Sequence, residues 1–348
     1  MAVAGSARNN AGPETDPGTG SITTHPPFPT PSYHHHDGLR LAYYTAGPVD
    51  GPPVSLLHGW PELAYSWAHQ LPAIAAAGYR VVVLELRGFG ASEAPHGKEH
   101  YAIEQLVSDL EALMDHLGHR TITLIGHDWG GIILWQAARM LGDPAVVEWG
   151  RIARVASIST PMVKQAPVDP LKIFRKRFGD DHYFLVFNEE PDETAALFAR
   201  DPDAFFRMTL RGIPEGYVME SRFTHIPKQF REFLDRGAPQ VKGSVLTPEQ
   251  RQVYVDAYTR SGFHGGIALY RNTTENWELT AGLDERLTQP ALMISPELDM
   301  TLPPSSTDHM PALIDDLERV ILPDCSHWAM WEKPEEVNRL LLGWLDRG

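Results

Sequence analysis

The sequence predicts an α/β protein with a mostly parallel central sheet. Short uncharged runs, typical of strands buried on both faces, alternate with amphipathic helical segments up to about residue 160. Such alternation is typical of βαβ crossovers. The 348 residues are 43% hydrophobic and 22% charged, proportions ordinary for a folded globular chain with a sizeable core.

The elements of the first half follow from local pattern. Asp37-Gly38 stands between two short runs, which predicts a hairpin turn. The apolar spacing of residues 103–117 predicts a helix, and Gly118 ends it. The remaining predicted elements are strands at 33–36, 39–44, 54–57, 79–84 and 121–125, and helices beginning near Tyr65 and near Trp129.

The pattern changes between residues 161 and 280. Helical segments rich in Phe, Arg and Asp are punctuated by Pro and Gly, and residues 235–245 read as a long loop. We therefore predict a helical cap at 161–280, inserted into a core of residues 32–160 and 281–348. The core resumes with strands at 291–295 and 319–322 and a helix at 334–345. Residues 1–31 are poor in large apolar side chains and are predicted to be a flexible leader.

Charge and hydropathy exclude some partners. The formal net charge is -15, without a long run of Lys and Arg, which argues against a nucleic-acid or anionic-membrane surface. No apolar stretch approaches the ~18 residues that span a bilayer, and the N-terminus lacks a signal-peptide pattern. We expect a soluble, cytoplasmic protein that binds neither nucleic acid nor membrane.

Two local patterns invite a chemical interpretation that we do not favour. Cys325 is the only cysteine, so no intrachain disulfide can form, and a small buried residue is a better interpretation than a thiol nucleophile. The run His34-His35-His36 could indicate a metal cluster or a tag remnant, but a strand that enters the Asp37-Gly38 turn is favoured.

The motif GHDWGG at 126–131 matches the strand-to-helix nucleophile elbow, Gly-x-Asp-x-Gly. The elbow residue is Asp128 rather than Ser or Cys. A carboxylate can displace at a saturated carbon, and the resulting ester can be hydrolysed at the carboxylate's own carbon. The motif therefore indicates a reaction with epoxides or alkyl halides. The alternative is a plain turn in which Asp128 caps the helix.

An aspartyl nucleophile needs a base that activates water and an acid that orients the base. His327 follows the predicted strand at 319–322, and Asp299 follows the strand at 291–295. Both stand after later core strands, in the chain order that the elbow requires. Glu297 is the rival for the orienting acid and lies further from the usual spacing.

Five motifs together resemble the α/β-hydrolase-fold epoxide hydrolases, over essentially residues 33 to 346. They are HGWPE at 58–62, RGFGAS at 87–92, GHDWGG at 126–131, LD at 298–299 and SHW at 326–328. The resemblance implies an α/β-hydrolase fold with an inserted helical cap. It also implies hydrolysis of epoxides to vicinal diols through a covalent aspartyl alkyl ester, which water activated by His327 then cleaves.

The resemblance further implies roles for four aromatic residues. The backbone N–H groups of Trp60 and Trp129 would form the oxyanion hole, with a cis bond from Trp60 to Pro61. Tyr183 and Tyr270 would hold and protonate the epoxide oxygen. One departure is Glu85, since the family more often has Asp two residues before the position of Arg87; it puts one loop contact in doubt and leaves the chemistry intact.

Two other functions compete with this prediction. A haloalkane or haloacid dehalogenase shares the aspartyl elbow, but a halide leaves without a proton, whereas an alkoxide requires one and tyrosine can donate it. A ligand-binding α/β-hydrolase relative is the non-enzymatic alternative, and turnover of any epoxide separates it. The expected partners are a small-molecule epoxide and water, with a homodimer left open. No metal and no organic cofactor is expected.

Overall fold

The computed structural model describes residues 27–142, 150–213 and 224–347. These residues contain eight strands: β1 Ser32–His36, β2 Leu39–Ala46, β3 Pro53–Leu57, β4 Arg80–Leu84, β5 Ile122–His127, β6 Ile152–Ile158, β7 Ala291–Pro296 and β8 Leu317–Leu322. Five α-helices flank the strands in sequence: α1 Gln70–Ala76, α2 Ile103–Leu117, α3 Trp129–Leu141, α12 Ala329–Glu332 and α13 Pro334–Leu345. The predicted α/β class is confirmed.

The strands form one sheet in the order β1-β2-β4-β3-β5-β6-β7-β8. β1 pairs with β2, and β2 with β4, in antiparallel fashion, while every pair from β4 to β8 is parallel. The carboxyl ends of the parallel strands therefore meet at one edge of the sheet. Ligand sites of open α/β sheets lie at this edge.

Apolar side chains cover both faces of the sheet, as the uncharged strands predict. On one face α2 and α3 contribute to an apolar cluster with residues such as Leu106 and Ile133. On the other face α1 and α13 contribute residues such as Leu71 and Leu341. All six residues of β7 are buried. The sheet is thus a rigid layer that fixes where its strand ends stand.

Among the described residues between β6 and β7 there are eight α-helices: α4 Pro170–Phe178, α5 Tyr183–Glu189, α6 Pro191–Ala199, α7 Pro202–Thr209, α8 Ile226–Asp235, α9 Pro248–Ser261, α10 His264–Tyr270 and α11 Thr273–Leu279. Several start with proline at the first turn, where the missing N–H costs nothing. These helices are the inserted cap of the predicted fold. We propose residues 161 and 280 as its boundaries.

Local predictions differ from the structure in two places. The predicted helix near Tyr65 begins as a short 3-10 helix, Ala64–Trp67, and the α-helix α1 starts only at Gln70. Strand β6 was not singled out in the sequence, because Arg154 interrupts its apolar pattern. The hairpin at Asp37-Gly38 is confirmed by the antiparallel pairing of β1 with β2. Most of the predicted leader, residues 1–26, lies outside the described residues.

No helix in the described part of the chain is long and apolar enough to cross a membrane.

Three buried histidines make the fold sensitive to acid. Burial lowers the pKa of His34, His58 and His182 to about 4, against the usual 6.5. Between pH 6.5 and 4 the unfolded chain therefore binds more protons than the folded chain, so the free energy of unfolding falls as the pH falls through this window. Each unit of pKa difference corresponds to about 1.4 kcal/mol.

This linkage is testable by chemical denaturation at a series of pH values. We expect stability to drop steadily from pH 6.5 to pH 4. His34→Leu should weaken that dependence, because the His34 Nε2 is buried and has no hydrogen-bond partner. His35→Leu, at an exposed position of the same strand, serves as the control and should change the dependence much less, because the His35 charge is the smallest influence on the pKa of His34. A flat profile in the parent protein would contradict the account.

Candidate active site

Asp128 stands in a strained turn between β5 and α3. Its φ of 52° and ψ of -118° lie outside the conformations that non-glycine residues favour. A Cβ at Gly130 would come within 2.0 Å of the Leu57 carbonyl oxygen, so glycine is required for α3 to start this close to β3. The Asp128 side chain makes no capping hydrogen bond to α3. The helix-cap alternative is therefore wrong, and the carboxylate is free to face the cavity.

The loop after β3 approaches the Asp128 carboxylate. The Trp60 backbone N–H donates to Asp128 Oδ1 at 2.7 Å, and the neighbouring Trp129 N–H also acts electrostatically on this carboxylate. A Cβ at Gly59 would lie 2.4 Å from the same oxygen, so the loop can come this close only with glycine there. The bond from Trp60 to Pro61 is cis, as expected. Two backbone N–H groups thus converge on one carboxylate, the arrangement of an oxyanion hole.

His327 and Asp299 come together on the other side of Asp128. His327 Nδ1 lies 2.7 Å from Asp299 Oδ2, and His327 Nε2 lies 3.8 Å from Asp128 Oδ2. The Thr301 and Leu302 N–H groups donate to Asp299 Oδ1, both at 2.9 Å. Asp299 therefore holds the imidazole with its other nitrogen toward Asp128.

Glu297 does not share the orienting role of Asp299. It instead accepts a hydrogen bond from the Asp324 backbone N–H at 3.1 Å. The choice of Asp299 over Glu297 from sequence spacing agrees with this geometry.

Neighbouring charges and hydrogen bonds oppose the effect of burial on the pKa values of these groups. Burial alone would lower the pKa of His327, but the charges of Asp299 and Asp128 outweigh it and raise the pKa to about 9. Burial would raise the pKa of Asp299, and the contact with His327 together with two backbone donors lowers it. Burial raises the pKa of Asp128, and this effect is opposed by His327, by His127 and by the backbone N–H groups of Trp60 and Trp129.

Tyr183 and Tyr270 face the same carboxylate from the cap. Tyr183 is the first residue of α5 and Tyr270 the last residue of α10, and their ring centroids lie 5.3 Å apart. Burial raises the pKa of both phenols above their usual value. The next cause is the Asp128 charge for Tyr183 and the neighbouring Tyr183 phenol for Tyr270. The Tyr270 ring also packs edge-on against Trp129 at 5.0 Å. Both phenols are thus held in the protonated form as donors.

Glu62 and His127 form a pair behind the site that sequence reasoning missed. His127 Nδ1 lies 2.9 Å from Glu62 Oε2, and His127 Nε2 lies 2.8 Å from the His327 carbonyl oxygen. The His127 ring therefore bridges the Glu62 carboxylate and the backbone of His327. Glu62 lies in the HGWPE motif and His127 in the GHDWGG motif, and these motifs are the sequence feature that could have indicated the pair.

Glu85 contacts neighbouring segments, although the family more often has Asp at this position. Glu85 Oε1 accepts from the Ala64 N–H at 2.8 Å, and Oε2 accepts from the Tyr44 hydroxyl at 3.0 Å. A Cβ at Gly90 would lie 2.3 Å from Glu85 Oε2. The longer side chain therefore fits because Gly90 leaves room for it, and it ties the loops after β3 and β4 together.

The residues not favoured for chemistry lie apart from this site. Cys325 is fully buried, and burial raises the pKa of its thiol, so it remains protonated. His34 to His36 are the last three residues of β1. Among the described residues, no group of three or more His, Cys, Asp or Glu could hold a metal ion.

One cavity of about 380 Å³ joins the candidate residues. Asp128, Tyr183, Tyr270, Asp299 and His327 all line it. Its remaining wall is largely apolar, with Ile226, Val241, Leu298, Met300 and Trp328 among the lining residues. The cavity thus offers a carboxylate, two phenols and an imidazole to a small apolar molecule.

Comparison with known proteins agrees with this geometry. The family model described as alpha/beta hydrolase fold matches residues 52–334. The chain is 35% identical over 321 residues to epoxide hydrolase A of Mycobacterium tuberculosis, an alignment that covers 91% of this chain and 97% of that protein. The chain belongs to the α/β-hydrolase-fold epoxide hydrolases.

Other members of the epoxide hydrolase family show the same relation. The crystal structure of epoxide hydrolase A from Mycobacterium thermoresistibile superimposes with a TM-score of 0.78 at 33% identity, covering 91% of this chain and 98% of that one. Bifunctional epoxide hydrolase 2 of Sus scrofa is 34% identical over 313 residues, which cover 89% of this chain and 54% of that protein. The present epoxide hydrolase family member thus spans about half the length of that bifunctional relative.

Proposed function

We propose that this protein hydrolyses small-molecule epoxides to vicinal diols, with Asp128 as nucleophile. The proposal rests on one observation, namely that the Asp128 carboxylate and the phenols of Tyr183 and Tyr270 line the same cavity. A carboxylate can open an oxirane only where the departing oxygen receives a proton. The family membership and the names of the similar proteins support the same reaction.

In the first step Asp128 Oδ2 attacks one oxirane carbon while its C–O bond breaks. The released oxygen takes a proton from the phenols of Tyr183 and Tyr270, and Asp128 becomes a neutral alkyl ester. This removes one of the negative charges that raise the pKa of His327. His327 then gives up its proton, which restores the phenol, and becomes the neutral base that the second step needs.

In the second step His327 takes a proton from water, and the hydroxide attacks the ester carbonyl carbon of Asp128. The carbonyl oxygen becomes an oxyanion that the N–H groups of Trp60 and Trp129 stabilise. This intermediate collapses and expels the diol oxygen, which takes the proton of the hydroxyl group that water added. Asp128 is then again a carboxylate, and the protonated His327 stays hydrogen-bonded to Asp299. All these groups come from one chain, so the reaction needs no second subunit.

The proposal is tested by incubating the protein with terminal, internal and aryl epoxides and measuring diols by mass spectrometry. We expect diol formation from at least one class, with loss of activity in Asp128→Ala. The same panel should include alkyl halides. Halide release without any diol would contradict the proposal, and so would diol formation that survives Asp128→Ala.

We also expect catalysis without a metal. The charge that develops in each step is met by phenols, N–H donors and the imidazole, so no Lewis acid is required. Extended treatment with a chelator, followed by removal of the chelator, should leave the rate of diol formation unchanged. Loss of activity that a divalent ion restores would contradict this expectation.

A further inference from the structure

His327 stands on a short irregular segment, residues 325–328, between β8 and α12. His327 itself makes two contacts. Its ring is hydrogen-bonded to the Asp299 carboxylate, and its carbonyl oxygen lies in hydrogen-bond contact with the His127 ring. Neither contact fixes the backbone on both sides of the histidine. The position of His327 Nε2 relative to the Asp128 ester depends on that backbone.

Glu332, the last residue of α12, contacts both neighbours of His327. Its Oε2 accepts from the Ser326 backbone N–H at 3.1 Å, and its Oε1 accepts from the Trp328 backbone N–H at 3.1 Å. The Ser326 hydroxyl donates to the same Oε1 at 2.5 Å. One carboxylate therefore bridges the residues before and after His327, with three hydrogen bonds to a charged acceptor.

The cap covers this bridge. A Cβ at Gly212 would lie 2.7 Å from Glu332 Oε2, and the Trp328 indole N–H donates to the Thr209 carbonyl oxygen at 3.1 Å. Ser326 and Trp328 are buried, so their N–H groups are costly to leave without an acceptor. Glu332 itself does not line the cavity.

We propose that Glu332 is a positioning residue for ester hydrolysis, acting through the backbone on either side of His327. The inference rests on the proposed function. Ring opening uses Asp128 and the two phenols and needs no proton transfer to His327, so Glu332 bears on the second step alone. A misplacement of about 1 Å in a catalytic group can lower a rate by about 10²-fold.

The test is rapid-quench single turnover, in which ester formation and ester decay are followed separately by the mass of the intact protein. In Glu332→Gln one acceptor oxygen is replaced by a donor, so one flanking N–H loses its partner. We expect ester decay to slow by about 10- to 100-fold, ester formation to change less than about 3-fold, and the ester to accumulate. Glu332→Asp, which keeps both acceptor oxygens, should recover part of the decay rate.

Combination with His327→Gln separates positioning from a general structural role. If Glu332 acts through His327, then adding Glu332→Gln to His327→Gln leaves the residual decay rate unchanged. A purely structural effect would lower both rates, or would slow the double variant further. Both steps are measured in the same sample, so partial unfolding reduces the amount of ester but not the ratio of the two rates.

Glu297→Gln is the matched control. Glu297 accepts one backbone N–H from Asp324, three residues before His327, and does not touch residues 326 or 328. It should leave both steps unchanged. Ester decay in Glu332→Gln as fast as in the parent protein overturns the proposal while epoxide hydrolysis stands. A parent protein that forms no ester and no diol overturns the proposed function itself.

Discussion

His327→Gln is expected to stop the reaction at the covalent ester. Asp128, Tyr183 and Tyr270 remain in place, so ring opening proceeds, whereas water loses the base that takes its proton. The intact protein should therefore gain the mass of one substrate molecule upon incubation with an epoxide. Turnover should fall by at least about 10²-fold, the lower end of what a general base contributes.

The control for this experiment is the double variant Asp128→Ala and His327→Gln. It lacks the attacking carboxylate and should keep its unmodified mass. Peptide mapping should place the added mass of the single variant on Asp128. A fully inactive His327→Gln protein that carries no added mass would contradict the two-step scheme.

Replacing the two cap phenols is expected to have the second large effect. Tyr183 and Tyr270 share the developing alkoxide charge, and acid assistance of this kind contributes about 10²- to 10⁴-fold. Tyr183→Phe or Tyr270→Phe alone should slow ester formation in part and leave decay of the preformed ester nearly unchanged. The double variant should lose epoxide turnover almost completely.

Phenylalanine removes only the hydroxyl and keeps the ring contacts, which include the 5.6 Å contact between Trp60 and Tyr270. Tyr101→Phe is a suitable control, because the Tyr101 hydroxyl donates to the Pro95 carbonyl at 2.9 Å and lies outside the cavity. It should not change turnover. Near-normal diol formation by the double Phe variant would mean that another group protonates the epoxide oxygen.

The sequence predicts the site best where the reactive side chain and the backbone turn that presents it lie in one continuous motif. The turn at Asp128 needs glycine for steric reasons on both sides, so the proposed nucleophile and its turn are encoded by six consecutive residues. Asp299 and His327 follow the adjacent strands β7 and β8, and parallel strands bring their ends to one edge. The structure places all three side chains in one cavity.

Contacts between distant segments were not predictable in the same way. Glu62 and His127 are 65 residues apart, and a lone acid and a lone histidine have many alternative partners in a chain with 45 acidic residues and 16 histidines. Glu332 recognises backbone N–H groups, which carry no sequence signature. The start of α1 was misplaced because the loop after Pro61 first closes as a 3-10 turn before the helix begins.

Isotopic labelling of the water tests the central claim most directly, namely that Asp128 forms an ester whose carbonyl carbon water attacks. A single turnover in H₂¹⁸O, with the protein in excess over the epoxide, should place ¹⁸O in the Asp128 carboxylate and leave the diol unlabelled. Proteolysis and mass spectrometry of the Asp128 peptide measure the first quantity, and analysis of the extracted diol measures the second. Label that appears in the diol during this first turnover, with none in Asp128, would contradict the account.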